Sequence, residues 1–445
     1  MRISALVDRR VGILGMGAEG RSVLAALRRA GHTGPVYAFA DARGDLAPGL
    51  VWRHGAHHRQ GLDEVDIVVR SPGFPLHHPI LRAIVARGLP VTTATNLFLA
   101  EARAAGIAVV GITGSKGKST TATLTHRALL AAGKPAALVG NIGRPALDQL
   151  DDILASGGPV VFELSSYQCH DLTASPDVAV LLDLFPEHMD WHGSTADYYD
   201  AKLNVARHQR PGDRLFYNHS SRIWDQPLGA GTATAVNHPG GLHFADGWFC
   251  RGAERLFSDA GMLLRGLHQR RNAISALSAV EALGGAPAHL QQAIQGFGGL
   301  PHRNQLVSEV AGIRWYDDAI STAPEAAAAA VAALGTELHT LIVGGMDRGY
   351  DFQPLAEALR GSPAAQVLLI PNSAAPLAAM LDGSSVRVID AGSLEAAVAH
   401  AAAHVPAGRA CLFSPGSPSY NRFRNFRHRG ETFQSLVAAL DEPAT

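Results

Sequence analysis

The chain reads as an α/β protein of two to three domains built on parallel sheets. Short apolar, β-rich runs alternate with helical stretches through most of its 445 residues, which favours parallel strands with helices on both faces. The alternation falls into three series, each opened or closed by a glycine-rich or acidic turn. The length also exceeds what a single ordinary core spans.

In the first series, residues 11–14, 36–39 and 67–69 are expected to be buried strands. The second comprises 108–113, 160–164 and 178–182. Residues 214–266 interrupt the pattern with short segments rich in Gly, Pro and Asn. We expect antiparallel strands or loops decorating the middle of the chain there. The third series comprises 313–316, 341–343, 367–370 and 411–413, with a helix over 326–334 because alanine has the highest helix propensity. Dividing the chain at the turns gives domains over 1–100, 101–301 and 302–445.

Composition narrows the function. Lys plus Arg number 38 against 39 for Asp plus Glu, which gives no electrostatic case for nucleic acid or an anionic membrane surface. The 47% hydrophobic and 17% charged content suits a globular enzyme. Cys169, Cys250 and Cys411 are far apart and form no CxxC, so neither a disulfide scaffold nor a structural zinc site is expected. The N-terminus lacks the apolar stretch of a signal peptide, and no run approaches the length of about 20 apolar residues that spans a bilayer. A cytoplasmic location is expected.

The most informative segment is Ala108-Val-Val-Gly-Ile-Thr-Gly-Ser-Lys-Gly-Lys-Ser-Thr120. An apolar strand runs into a glycine-rich turn followed by helix formers. Such a turn frees backbone N–H groups to surround phosphate oxygens at the positive end of a helix. Gly114, Ser115, Lys116, Gly117 and Thr120 would line it, Lys118 would reach the terminal phosphates, and the Ser119 hydroxyl would ligate magnesium. The strict GxxxxGK[ST] pattern fails at Ile112, where its first glycine should stand. Near the N-terminus, Gly15, Gly17 and Gly20 satisfy GxGxxG after a strand, a weak signal compatible with a dinucleotide or another diphosphate. Asp41, at the end of the second strand, suits ribose or uracil in either case.

The shorter loop Gly114-Ser-Lys-Gly-Lys-Ser119 resembles that of the Mur ligases and folylpolyglutamate synthetases. Further motifs follow in Mur ligase order. Gly140-Asn-Ile-Gly-Arg-Pro-Ala146 resembles the GNIG segment, and Glu163-Leu-Ser-Ser-Tyr-Gln168 the ELSS-aromatic-Gln motif. Glu187-His-Met-Asp-Trp-His-Gly193 is similar to DHLDxHG, Tyr199-Asp-Ala-Lys202 to YxxAK, and Gly299-Leu-Pro-His-Arg303 to GLPHR. The resemblance covers nearly the whole chain. It implies a three-domain Mur ligase architecture with a Rossmann-like N-terminal domain, a P-loop central ATPase domain and a Rossmann-like C-terminal domain.

It also implies the glutamate-adding branch: ATP-dependent attachment of glutamate to UDP-N-acetylmuramoyl-L-alanine through an acyl phosphate, with ATP and Mg2+ required. Lys118, His188 and Lys202 would be catalytic. Ser119, Glu163, His188 and Lys202 would serve the metal, Lys202 as a carbamate. Asn272, Arg303 and Asp318 would contact ATP. Gly15, Gly17, Ser71 (in Ser71-Pro-Gly73) and Asn141 would hold the UDP-substrate, while Thr322, Arg348, Ser419 and Phe426 would receive glutamate. A monomer is expected.

Departures from the family pattern fall at Asp183, Glu187, Trp191, Gln269, Ile320 and Ala323. They bear on amino-acid selectivity more than on ATP use. Asp318-Ala-Ile-Ser-Thr322 and Pro418-Ser-Tyr420 look more like the subgroup that adds L-glutamate, with D-glutamate the alternative. A folylpolyglutamate synthetase-like ligase fits less well, because Ser71-Pro-Gly73 with His78-Pro79 indicates a UDP pocket. An NAD-dependent oxidoreductase leaves Lys118, Glu163 and Lys202 unexplained, and a nucleotide-binding switch is the non-enzymatic alternative.

Overall fold

A computed structural model describes the chain except residues 41–48, 55–60, 142–143, 222–227, 265, 348, 372–373, 420–421 and 442–445 and the side chain of Asp190. The chain folds as two compact units, Met1–Gly261 with Leu267–Gly296, and Met262–Gly266 with Phe297–Thr445.

The first unit carries two parallel sheets. One is built from β1 (Val11–Leu14), β2 (Val36–Ala40), β3 (Leu50–His54), β4 (Ile67–Arg70) and β5 (Val91–Thr92), in the order β3-β2-β1-β4-β5. The other is built from β6 (Val109–Thr113), β7 (Ala137–Gly140), β8 (Val160–Glu163), β9 (Val178–Leu181), β10 (Arg214–Asn218) and β11 (Thr232–Val236). Its order is β11-β10-β9-β6-β8-β7. Strands β1, β6, β8 and β9 are buried at every residue, which is why they read as continuous apolar runs rather than alternating ones.

Residues 214–266 divide between two arrangements. β12 (Leu242–Ala245), β13 (Trp248–Arg251) and β14 (Glu254–Ser258) form the antiparallel sheet the sequence suggests. β10 and β11 instead extend the central sheet in parallel. Their pairing places Leu215 beside Ala179, a long-range contact that local Gly and Asn content does not reveal. β11 is also the sheet's edge and largely exposed, so it lacks the apolar signature of a central strand.

The second unit holds β15 (Gln305–Val310), β16 (Ile313–Asp317), β17 (Leu338–Val343), β18 (Gln366–Leu369), β19 (Arg387–Asp390) and β20 (Ala410–Phe413). Its order is β15-β16-β20-β17-β18-β19, with β15 antiparallel to β16 and the rest parallel. The alanine-rich helix begins at Pro324 and runs to Leu334, two residues earlier than its composition suggests, because proline suits a first helical position. One face of this sheet is sealed by Trp315, Phe413 and Phe433, with Phe433 4.8 Å from Phe413 and 6.2 Å from Trp315 by ring centroid.

Phe433→Ala empties the centre of that cluster, and we expect it to cost about 3–5 kcal/mol. A fall in the denaturant midpoint of the second unit checks this. An unchanged midpoint would show that the neighbouring rings collapse into the space.

Candidate active site

Chain order reverses on either side of β6, which lies between β9 and β8. In open α/β sheets the crevice beyond the carboxyl end of such a strand is where ligands bind. Residues 114–117 turn there into the helix Lys118–Ala131. Gly117 has φ +85°, and a Cβ on it would lie 2.3 Å from Asn272 Oδ1. Glycine therefore permits both the turn and the approach of Asn272, whose Nδ2 donates to Gln269 Oε1 at 3.1 Å. Ser115 anchors the turn. Its N–H donates to Asp183 O at 2.9 Å, and its hydroxyl donates to Phe185 O at 2.8 Å and meets the Tyr198 hydroxyl at 2.8 Å.

Two lysines converge on this turn. Lys118 Nζ donates to Gly114 O at 2.8 Å and Ser115 O at 2.7 Å. Lys202 Nζ donates to the same Gly114 O at 2.8 Å and to Thr113 Oγ1 at 3.4 Å. Lys202 comes from the helix Thr195–Arg207, is 1% exposed, and lies over the Tyr198 ring. Burial, reinforced by the charge of Lys118, lowers its pKa to about 7. It is thus not the solvated surface lysine that its helix alone would suggest.

Glu163 closes the third side. β8 runs beside β6 with Ile112 opposite Glu163. The carboxylate is 1% exposed. Its Oε1 accepts from Asn141 Nδ2 at 3.3 Å, but its Oε2 is buried with no partner. Buried carboxylate oxygens are normally satisfied, so this one fits a divalent cation. Among the described residues no three His, Cys, Asp or Glu side chains gather in a metal-binding arrangement. A full coordination shell would therefore need ligands of other kinds as well, such as the Ser119 hydroxyl at the start of the helix or a modified Lys202.

His188 stands at the N-cap of Met189–His192 in the left-handed region, φ 58°. Its ring is 5.2 Å from Tyr167 and 6.4 Å from Tyr198 by centroid, so Tyr198 links it to Ser115. His192 is buried within the same group, parallel to Tyr167 and against Trp191 and Tyr198. Burial, then the charges of His170, His188 and Lys202, takes its pKa down to about 4.

Beside this centre lies a cavity of about 590 Å³ lined by Gly15, Gly17, Ser71 and Asn141, together with Glu19, Tyr167 and Gln168. The Ser71 hydroxyl donates to Gly15 O at 2.7 Å, tying the turn after β4 to the turn after β1. Asp41 lies outside the described residues.

In the second unit Asp318 is buried. It accepts the Asn304 N–H at 3.0 Å and the Ser414 hydroxyl at 2.6 Å. Burial raises its carboxyl to about 6 against those bonds and Arg303. Arg429, also buried, donates to Ala319 O and Ser417 O, bracing the turns that carry Thr322 and Ser419. Phe426 meets His302 edge-on at 6.2 Å, and His302 Nδ1 is 2.7 Å from Asp317 Oδ2. Arg348 lies outside the described residues. The motifs in the sequence include His192, Gln168 and His302 without giving them a role, and the segment ending at Lys202 begins one residue after Tyr198. Their side-chain partners, several of them remote in sequence, bring them out.

A family model described as the Mur ligase middle domain matches residues 112–236, and one described as the Mur ligase, glutamate ligase domain matches 302–416. The UDP-N-acetylmuramoyl-L-alanine--L-glutamate ligase of Salinispora tropica is 39% identical over 98% of this chain and 99% of its own. The UDP-N-acetylmuramoylalanine--D-glutamate ligase of Methylobacillus flagellatus is 33% identical over 98% of each. The crystal structure of MurF ligase from Thermotoga maritima in complex with ADP superposes with a TM-score of 0.60 at 16% identity. It covers 98% of this chain and 97% of its own, a likeness of fold.

The state of Lys202 is open to a stability test. Its folded pKa of about 7 lies below the ordinary 10.5. The native state therefore binds fewer protons than the unfolded chain between those values, and stability rises with pH across that window. Below about 7 the whole cost of burying the ammonium is present. Lys202→Met keeps the apolar stem without the charge, so it should raise Tm over wild type more at pH 6 than at pH 9. An equal shift at both pH values would show that Lys202 titrates as an ordinary surface lysine.

Proposed function

We propose, from the premise that this chain belongs to the Mur ligase family, that it is the ATP-dependent ligase joining glutamate to UDP-N-acetylmuramoyl-L-alanine in peptidoglycan precursor synthesis. The observation that carries the reading is the convergence of Lys118 and Lys202 on one carbonyl beside the unpartnered oxygen of Glu163. A ligase that uses ATP brings a triphosphate and a substrate carboxylate to one point, and needs fixed cations and a metal there.

The L-alanyl carboxylate attacks the γ-phosphorus of ATP, giving an acyl phosphate and ADP. The glutamate amine then adds to the acyl carbon, and the tetrahedral intermediate collapses to amide and inorganic phosphate. Lys118 leaves its two backbone acceptors for the transferring phosphoryl oxygens. Asn272, against Gly117, would contact the base of the nucleotide, and Arg303 and Asp318 would also contact ATP. Gly15, Gly17, Ser71 and Asn141 line the UDP-substrate cavity.

Ser119, Glu163 and His188 would hold Mg2+, which neutralises the phosphate charge when bound. Lys202 joins them as a carbamate. A lysine with a pKa of about 7 is largely neutral at physiological pH, and only the neutral amine adds carbon dioxide. Thr322, Arg348, Ser419 and Phe426 form the glutamate site, Arg348 supplying a bidentate partner for a carboxylate. The domains divide near residues 100 and 302, and the enzyme works in the cytoplasm as a monomer.

L-glutamate is the favoured isomer. Ile320 removes a cation from the amino-acid site, and a polar site that fits one isomer strands charged groups with the other. We expect phosphate release to need both UDP-N-acetylmuramoyl-L-alanine and glutamate, with a higher kcat/KM for L-glutamate. A preference for D-glutamate would overturn the isomer alone. Phosphate release indifferent to the UDP-substrate would overturn the ligase.

A further inference from the structure

The cavity between the turns after β1 and β4 has an acidic side chain in its wall. Glu19 stands in the first turn of the helix Ala18–Arg29, is partly buried and lines the cavity. Among the described residues its hydrogen-bond partner is Gln168, whose Nε2 donates to Glu19 Oε1 at 3.3 Å. Gln168 is fixed in turn, because its Oε1 accepts from Ser165 N at 3.0 Å and Ser165 Oγ at 3.1 Å. A capping box thus holds the carboxylate in place. Burial and the charge of Asp148 push the Glu19 carboxyl up, and the Gln168 bond pulls it down. A carboxylate offers about four acceptor positions, and Gln168 takes one.

Resting on the ligase reading above, we propose that Glu19 is a specificity-determining residue that accepts a hydrogen bond from a hydroxyl or amide N–H of the substrate's amino sugar, and so fixes which way round the nucleotide-sugar lies. In dinucleotide-binding folds the diphosphate sits at the N-terminus of this helix. Here a carboxylate in the first turn already answers that positive end and opposes a like charge. The diphosphate is thereby directed to the turn Ser71-Pro72-Gly73, which carries no acidic side chain. Asn141 and Ser165 also line the cavity; Asn141 is bonded to Glu163, where the reacting carboxylate belongs, and Ser165 holds the Gln168 that bonds Glu19. In the substrate the sugar lies between diphosphate and peptide, so it is the part that falls beside Glu19. Sugars offer neutral donors and an ionised carboxylate is a strong acceptor for them.

Steady-state kinetics of the full chain test this. Glu19→Ala should raise KM for UDP-N-acetylmuramoyl-L-alanine about tenfold or more, the effect of losing a hydrogen bond to a charged group. KM for ATP and for glutamate should stay within about twofold, and the loss should fall on KM rather than kcat. Glu19→Gln keeps an acceptor oxygen and should recover most of the affinity. UDP alone, as a competitive inhibitor, should bind Glu19→Ala at least as well as wild type. Should the alanine variant not fold, Glu19→Asp, which withdraws the carboxylate by one methylene, should show the same selective rise. An unchanged KM, a rise shared by all three substrates, or a UDP inhibition constant that rises in step would each overturn the proposal. A wild-type chain that neither binds nor consumes this substrate refutes the ligase reading itself, and the proposal with it.

Discussion

A single backbone oxygen, the carbonyl of Gly114, accepts hydrogen bonds from both Lys118 and Lys202. Two ammonium groups sharing one acceptor are close enough to repel each other as like charges. The site resolves this by burying one of them until it is near neutrality. Lys118 is left to meet a phosphate, while burial lowers the pKa of Lys202 to about 7 in a site where Glu163 Oε2 has no partner. The asymmetry follows from position: Lys118 opens a helix at the mouth of the crevice, while Lys202 is enclosed beneath the turn.

The surrounding structure maintains that arrangement. The carbonyl is aimed by a turn that Ser115 ties to Asp183, Phe185 and Tyr198. Tyr198 and Lys202 are four residues apart on one helix, so the ring that braces the turn also roofs the amine. That helix starts where Ser194 accepts the Asp197 N–H. Arg70, buried at the end of β4, pairs with Asp171 and lies over Trp191. It thereby links the wall of the substrate cavity to the aromatic and histidine group around His188.

Much of this was legible in the sequence for identifiable reasons. Buried parallel strands such as β1, β6 and β9 carry continuous apolar runs. The phosphate turn has a composition that few other structures need. β10 and β11 were not legible as parallel strands, because their pairing is long-range and β11 is an exposed edge. Within the site, the glycine-rich loop pointed to Lys118, and the resemblance to the Mur ligases pointed to Glu163, His188 and Lys202. It could not show that Glu163 has an unsatisfied oxygen or that Gly117 makes room for Asn272. Glu19 was passed over as one unnamed position inside GxGxxG, since its significance depends on Gln168, which is remote in sequence.

In the proposed ligase, Lys202 is buried so that its amine can carry carbon dioxide as a carbamate. Carbon-13 NMR of the intact enzyme in labelled bicarbonate tests it most directly. The expected result is a carbamate resonance that is absent from Lys202→Met and fades as the pH falls below about 7, where the amine becomes an ammonium. A fully active wild-type enzyme showing no such resonance would contradict it.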